Sequence, residues 1–143
     1  MPQRPIRDVI ANQRVLTAPA GTTVEQAARL MRSSGVGAVM VVERGRLVGV
    51  FTERDAVFRV LAEGRDVSVT PISDVMTAEP QTIGPDKPFV HALYMMYEGG
   101  FRHVPVVKDG RPLGMVSARD ALELDAEEFQ EALRQREHIC AIL

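Results

Sequence analysis

The strongest constraint on the fold is an internal duplication. Sliding the chain by 65 positions aligns residues 24–57 with residues 89–122 without a gap, and twelve of the 34 pairs are identical. Chance similarity does not keep one register over such a length. The segments IRDVI (residues 6–10) and ISDVM (residues 72–76) also match, at a shift of 66. We therefore predict two copies of one folding unit, each introduced by a short leading segment.

Composition narrows the class of protein. The 143 residues are 45% hydrophobic, enough for the core of one compact body. A formal net charge of −2 gives no reason to expect a nucleic-acid or acidic-membrane partner. The chain has no apolar run long enough to span a bilayer, its N-terminus lacks the apolar centre of a signal peptide, and Cys140 is its one cysteine. These features predict a cytoplasmic protein without internal disulfides.

Each copy can be interpreted as a short series of elements. In the first copy, residues 23–34 have apolar side chains at helical spacing, at positions 24, 27, 28 and 31, and Gly35 is a plausible stop. The apolar run at residues 37–42 predicts a buried strand, and residues 47–51 predict a second strand after a turn. A further helix is expected at about residues 53–62. The second copy repeats this order.

The turn of the second copy decides the fold class. Its Asp109-Gly110 pair is the strongest short signal for a hairpin. An antiparallel hairpin inside each unit argues against an all-parallel dinucleotide-binding sheet. Because one unit of this size buries too little surface alone, we predict a mixed α/β (α+β) fold in which two β-α-β-β-α units pack sheet to sheet with pseudo-twofold symmetry, with two related clefts between them. The expected division is residues 1–63 for the first unit with its leading segment, 64–71 for the linker, 72–124 for the second unit and 125–143 for a C-terminal helical tail.

A repeated word marks the start of the last helix in each copy: GVFTERDA at residues 49–56 and GMVSARDA at residues 114–121. One interpretation is structural, because Thr52 with Asp55 and Ser117 with Asp120 fit N-terminal helix caps. The other is functional. A helix N-terminus beside a hydroxyl group binds phosphate, and an aspartate one turn further offers acceptors to the two hydroxyls of a ribose. The glycine in each word lets a flat ligand approach the strand.

The repeated unit resembles a known family. The pattern is glycine, two apolar residues, Thr or Ser, two residues and aspartate. Preceded by PVV-x-x-G-R (residues 105–111) and by a helix of V-x-x-A-x-x-x-M type (residues 24–31), it is similar to the CBS (cystathionine β-synthase) domain. Two copies in tandem resemble a CBS pair, or Bateman module, over residues 6–124. The resemblance implies a stand-alone, non-enzymatic regulatory module that requires no cofactor. It would bind an adenine nucleotide (AMP, ADP, ATP, sometimes NAD(H) or S-adenosylmethionine) between the repeats and signal to an effector protein.

The resemblance also implies roles for particular residues. Asp55 and Asp120 would hold the ribose, with Thr52 and Ser117 near ribose or phosphate. The other implied cleft residues are Val50 and Met115 beside the adenine, Gly37, Ala38, Arg102 and His103 at the strand starts, and Leu16 and Thr77 on the segments that close the clefts.

The basic residues among these candidates have more than one possible role. Arg102 is our preferred phosphate ligand, since a guanidinium is always charged and binds phosphate through two hydrogen bonds. His103 could bind a phosphate or a backbone group, and Arg54 and Arg119 could reach phosphates or remain in solvent. Because the first copy has an uncharged pair at the positions of Arg102 and His103, and Met40 where family members often have proline, we expect unequal affinities in the two clefts.

Other functions fit the sequence less well. A dimerising scaffold with empty pockets is the main alternative. An enzyme or a nucleic-acid binder is a weaker one, because no nucleophile, base and orienting group form a recognisable set. The HIC sequence at residues 138–140 offers too few ligands for a metal.

The C-terminal tail also has two interpretations. A new helix capped by Asp125 and Glu128 is expected there, with one side formed by Phe129, Ala132, Leu133, Cys140 and Leu143. This helix either covers the hydrophobic core of its own chain or contacts another molecule of the same protein. The resemblance favours the second possibility, a homodimer.

Overall fold

The computed structural model describes the backbone of residues 4–142. Side chains are described up to residue 123 and, beyond it, at residues 126, 130, 131 and 133–136. Within this range the elements follow the order of the two copies. They are α1 (Ile6–Val9), β1 (Thr17–Ala18), α2 (Val24–Ser34), β2 (Ala38–Glu43), β3 (Arg46–Thr52), α3 (Glu53–Asp55, continued by π-helical turns over Ala56–Leu61), β4 (Thr77–Ala78), α4 (Phe89–Gly99), β5 (His103–Lys108), β6 (Arg111–Ser117) and α5 (Ala118–Ile142).

Helix α2 follows directly from its local sequence. Thr23 caps it, because its side chain accepts a hydrogen bond from the Gln26 N–H at 3.2 Å while the Gln26 side chain accepts from the Thr23 N–H at 3.1 Å. Gly35 ends it with a φ of 65°, a left-handed conformation that glycine adopts without strain. The helix predicted at residues 23–34 is therefore confirmed.

Both predicted hairpins form, with the same geometry. Strands β2 and β3 pair from Ala38 with Thr52 to Glu43 with Arg46, and β5 and β6 pair in the equivalent register. In each turn both central residues have positive φ, at residues 44 and 45 and at residues 109 and 110. Such turns match the twist of the strands they join. Each hairpin also has a register shift at the equivalent position, after residue 41 and after residue 106.

The two sheets contain equivalent hairpins but are completed by different means. In the first copy, β1 pairs parallel to β2 and β4 pairs antiparallel to β3, giving the order β1-β2-β3-β4. In the second copy an isolated bridge between Ile83 and Val106 takes the place of β1. The Gln13 side chain takes the place of β4. Its amide donates to the Met115 carbonyl and accepts from the Met115 N–H, both at 2.7 Å.

The leading segments are exchanged between the copies. Ile6 and Ile10 are buried in the core of the second copy with Phe89, and the Ile6 N–H donates to the Lys87 carbonyl at 2.9 Å. Conversely, residues 72 and 75 are buried in the core of the first copy. The expected division of the chain, with a first unit ending at residue 63 and a second beginning at residue 72, follows the sequence repeat. In the folded chain, however, residues 5–10 pack against the second copy. Neither copy encloses a complete core by itself.

The last helix of each copy differs from its prediction. The helix expected at residues 53–62 is present, but it widens after its first turn, with the Ala62 N–H donating to the Val57 carbonyl five residues back. The prediction of a new helix near Asp125 is wrong, because α5 is continuous to residue 142 and leaves no helix start there to cap. Glycine and proline, which would interrupt it, do not occur in this span. Leu133 is exposed, and the tail side chains Asp125, Glu128, Phe129, Ala132 and Cys140, with Leu143, lie outside the described residues.

None of the helices in the described range has both the length and the apolar character that crossing a bilayer requires.

Candidate ligand-binding clefts

Two clefts open between the copies. The larger cleft has a volume of about 950 Å³ and the smaller cleft about 690 Å³. Both volumes lie within the range of roughly 300–1,000 Å³ that is usual for small-molecule sites. The larger cleft collects nine of the predicted site residues: Leu16, Gly37, Ala38, Arg102, His103, Met115, Ser117, Arg119 and Asp120. The smaller cleft collects Val50, Thr52, Arg54 and Thr77, and shares Arg102 and His103.

In the larger cleft, the start of α5 holds Asp120 at the surface of the cavity. The Ser117 N–H donates to Asp120 Oδ2 at 2.7 Å, and the Ser117 hydroxyl lies 3.5 Å from the same oxygen. This contact is one of the two bonds of a capping box, the one in which the acid accepts from the N–H of the N-cap residue. It engages one carboxylate oxygen, and within the described part of the chain Oδ1 has no hydrogen-bond donor. Asp120 can thus cap its helix and still accept a hydrogen bond from a ligand.

Asp55, the equivalent residue of the first copy, lies behind the smaller cleft and lines neither cavity. It is 6% exposed. The Thr52 N–H and hydroxyl donate to Oδ2 at 3.0 and 3.1 Å, while Oδ1 lies 3.4 Å from the Thr77 hydroxyl and 3.5 Å from Arg59 Nε. The structure therefore places Asp55 outside the lining of both clefts, whereas the resemblance implies that it holds a ribose. A buried carboxylate is stable when it is fully hydrogen-bonded and paired, and this one has both oxygens engaged.

Three side chains form the partition between the clefts, since Glu53, Arg102 and His103 line both cavities. Burial lowers the pKa of His103 below its usual 6.5, against the charges of Glu53 and Asp120. The imidazole is therefore neutral at pH 7, with one N–H donor and one acceptor. Gly37 lies against the Glu53 carboxylate, so the missing side chain at position 37 leaves the room that Glu53 occupies.

The clefts differ in charge. The larger cleft is bordered by four arginines and three acids: Arg14, Arg32, Arg102, Arg119, Glu53, Asp120 and Glu123. The smaller cleft has two of each sign, and one of its cations, Arg54, is already used. Arg54 donates to the Gly100 carbonyl at 3.1 Å and lies 5.5 Å from the centre of the Phe58 ring. The larger cleft is thus the better site for an anion.

Sequence reasoning missed several residues of both clefts. Glu53 stands inside the repeated word, where the second copy has Ala118, so comparing the copies could have found it. Arg14, Arg32 and Phe101 come from positions outside the repeated word, and tertiary packing brings them to the cavities.

The described residues contain no group of three histidine, cysteine, aspartate or glutamate side chains placed to hold a metal ion. The HIC side chains at residues 138–140 lie outside the part described.

Comparison with known proteins places the duplication in a family. The family model of the CBS domain matches residues 6–62 and residues 72–127. The chain belongs to the CBS domain family. It carries two CBS domains in tandem, as the resemblance of its repeated word indicates, and the mixed α+β architecture of two CBS repeats is confirmed.

Curated relatives share this family over most of the chain. The CBS domain-containing protein YhcV of Bacillus subtilis (strain 168) is 36% identical over 115 residues, which are 80% of this chain and 81% of that protein. The mitochondrial CBS domain-containing protein CBSX3 of Arabidopsis thaliana is 35% identical over 118 residues, or 79% of this chain. The match spans 57% of the length of CBSX3.

Two solved CBS structures with similar folds contain adenosine compounds. A CBS domain protein from Pyrobaculum aerophilum complexed with AMP has a TM-score of 0.75 and 26% identity, over 82% of this chain and 89% of that one. The CBS domain pair of protein MJ0100, in complex with 5′-methylthioadenosine and S-adenosyl-L-methionine, has a TM-score of 0.79 and 26% identity, over 89% of this chain and 99% of that one.

Burial also affects the protonation of Asp120. It raises the pKa of this carboxyl above its usual 3.8, with Glu123 adding to the effect, against the Ser117 hydrogen bonds and His103. Because the folded pKa is the higher one, ionised Asp120 destabilises the fold above that pKa, and the penalty vanishes below about 3.8.

We therefore expect Asp120→Asn, which keeps an oxygen for the Ser117 N–H, to raise the Tm at pH 7. The gain should shrink as the pH falls towards 4, and thermal denaturation across this range measures it. A variant less stable than the wild type at pH 7 would show that the charge of Asp120 stabilises the fold.

Proposed function

We propose that this CBS pair is a non-enzymatic regulatory module that binds an adenine nucleotide in the larger cleft and signals to a partner protein. One observation carries the proposal: the cleft brings together a carboxylate with an unused oxygen, an exposed arginine and the N-terminal turn of a long helix. A carboxylate suits the hydroxyls of ribose, and an arginine beside a helix N-terminus suits phosphate. The adenosine compounds in two structures of the family support the same ligand class.

Each group has a role in this proposal. Asp120 Oδ1 accepts from the ribose, and Ser117 holds the carboxylate in place through Oδ2. Arg102 binds the phosphate, with His103 as a neutral hydrogen-bonding neighbour. Leu16 and Met115 offer apolar surface to the adenine.

Signalling requires the ligand to favour one arrangement of the two copies. The larger cleft permits this, because Gly37 and Ala38 come from the first copy while Ser117 and Asp120 come from the second. A nucleotide that contacts both sides stabilises the arrangement in which all contacts are made, and a partner that binds the same arrangement senses it. We further propose that the module acts in the cytoplasm as a homodimer.

A scaffold without a bound nucleotide is the second candidate. The observation in its favour is a row of exposed apolar side chains on α4, at helical spacing: Val90, Tyr94 and Tyr97, the last 87% exposed. Such a face suits a protein contact. A homodimer using this face is compatible with either function, so ligand binding distinguishes the two.

Thermal denaturation with AMP, ATP, NADH and S-adenosylmethionine tests the proposal, with GMP as the control. A ligand at a hundred times its Kd stabilises the fold by about 2.7 kcal/mol, which for a chain of this size is a Tm increase of roughly 5–11 °C. We expect such an increase with at least one adenine compound. It should disappear in Asp120→Ala and persist in Asp86→Ala, which removes an exposed acid that pairs with Arg7 away from both clefts.

If no adenine compound raises the Tm, the scaffold is the better account. An increase of equal size with GMP would contradict adenine recognition.

A further inference from the structure

The two copies present their shared aspartate in opposite ways. Asp120 lines the larger cleft and has one oxygen without a donor among the described residues. Asp55 is buried, and its two oxygens are held by Thr52, Thr77 and Arg59. A ribose in the smaller cleft would have to displace Thr77 or Arg59 before it could reach this carboxylate.

The clefts also share one anion-binding group. Arg102 and His103 border both cavities, while the equivalent residues of the first copy, Gly37 and Ala38, carry no charge. Arg54, the other cation of the smaller cleft, is bound to the Gly100 carbonyl and lies over Phe58.

The larger cleft has three further arginines at its border, Arg14, Arg32 and Arg119, whereas Arg54 is the one arginine that the described lining of the smaller cleft adds to Arg102. Glu53 borders both cavities, and Glu79 adds a second acid to the smaller one, so a phosphate there would meet two carboxylates while Arg54 is engaged elsewhere. The described arginines therefore favour a phosphate in the larger cleft.

We infer that each chain binds one adenine nucleotide, in the larger cleft, with Asp120 as the ribose ligand and Asp55 as a structural cap. This inference rests on the proposed function and deepens it. In both copies the N–H and hydroxyl of the Thr or Ser donate to Oδ2 of the aspartate, while ligand contact is confined to the second copy.

Isothermal titration of the full chain with AMP tests the inference. The expected stoichiometry is one AMP per chain. Two AMP molecules per chain would overturn the inference and leave the proposed function intact. If AMP gives neither a heat of binding nor a Tm increase, binding of this nucleotide fails, and the inference fails with it.

A matched pair of variants assigns the site. Asp120→Asn should weaken AMP binding at least tenfold, because the amide replaces the charged acceptor. Asp55→Asn should bind one AMP per chain with an affinity within about twofold of the wild type, since position 55 does not reach the ligand. The reverse pattern would overturn the inference. Circular dichroism confirms that each variant is folded, and if Asp55→Asn is not, the stoichiometry of the wild type decides alone.

Discussion

Ile6→Ala is expected to destabilise the whole chain by about 2–5 kcal/mol, the usual cost of removing a fully buried isoleucine side chain. Ile6 is 0% exposed and packs with Ile10 and Phe89 in the core of the second copy, far from it along the chain. Truncation leaves a cavity in that core and removes the packing that holds the leading segment there. Urea denaturation measures the loss as a lower midpoint at an unchanged slope.

Two variants serve as comparisons for Ile6→Ala. Ile72→Ala should cost a similar amount, because Ile72 occupies the equivalent position and is 0% exposed in the core of the first copy. Val69→Ala should change stability by less than about 0.5 kcal/mol, since Val69 is 71% exposed. If Ile6→Ala behaves like Val69→Ala, the leading segment does not pack against the second copy in solution.

Arg102→Ala is expected to weaken binding of AMP by roughly tenfold to a hundredfold, because hydrogen bonds to a charged group are worth about 1.5–3 kcal/mol. Arg102 is exposed on the partition between the clefts, where a guanidinium can bind phosphate through two hydrogen bonds. Adenosine, which has no phosphate, should bind the variant and the wild type within about twofold of each other. Titration of both ligands at two salt concentrations measures the difference, and the salt dependence of AMP binding should fall in the variant.

Arg65→Ala is the control for Arg102→Ala, because Arg65 is an exposed arginine that lines neither cleft. It should leave the affinity for AMP unchanged. An equal loss of AMP and adenosine binding in Arg102→Ala would mean that Arg102 supports the shape of the cleft and does not bind the phosphate.

Local chemistry explains why the elements could be predicted from the sequence. Thr23 and Gly35 mark the two ends of α2 because a cap and a left-handed residue act on their immediate neighbours. Asp109-Gly110 marks a hairpin for the same reason, and the equivalent turn of the first copy follows from the register of the duplication. The repeat also identified the family, which the match to the CBS domain model confirms.

The exchange of the leading segments could not be predicted in this way. Matching IRDVI with ISDVM shows that the two segments are equivalent, but it does not show which core each one enters. Packing each segment on its own copy or on the other copy buries the same isoleucine side chains. Tertiary contacts decide between the two arrangements.

The burial and hydrogen bonding of Asp55 could not be predicted from the sequence for a related reason. Its closure depends on Thr77, which comes from the leading segment of the other copy, and on Arg59, one turn further along its own helix. The similar words in the two copies suggested identical roles. Asp55 and Asp120 differ because the exchanged segments place different residues beside them. This difference is therefore visible only after the two copies have packed together.

The exchange of the two leading segments has a consequence for folding during synthesis. The core of the first copy cannot be completed until residues 72–75 have left the ribosome. The core of the second copy must take in residues 6–10, which are synthesised before the whole of the first copy. Long-range closure of this kind slows folding. The chain should therefore acquire its native state late and as a single unit, with both halves aggregation-prone until they meet.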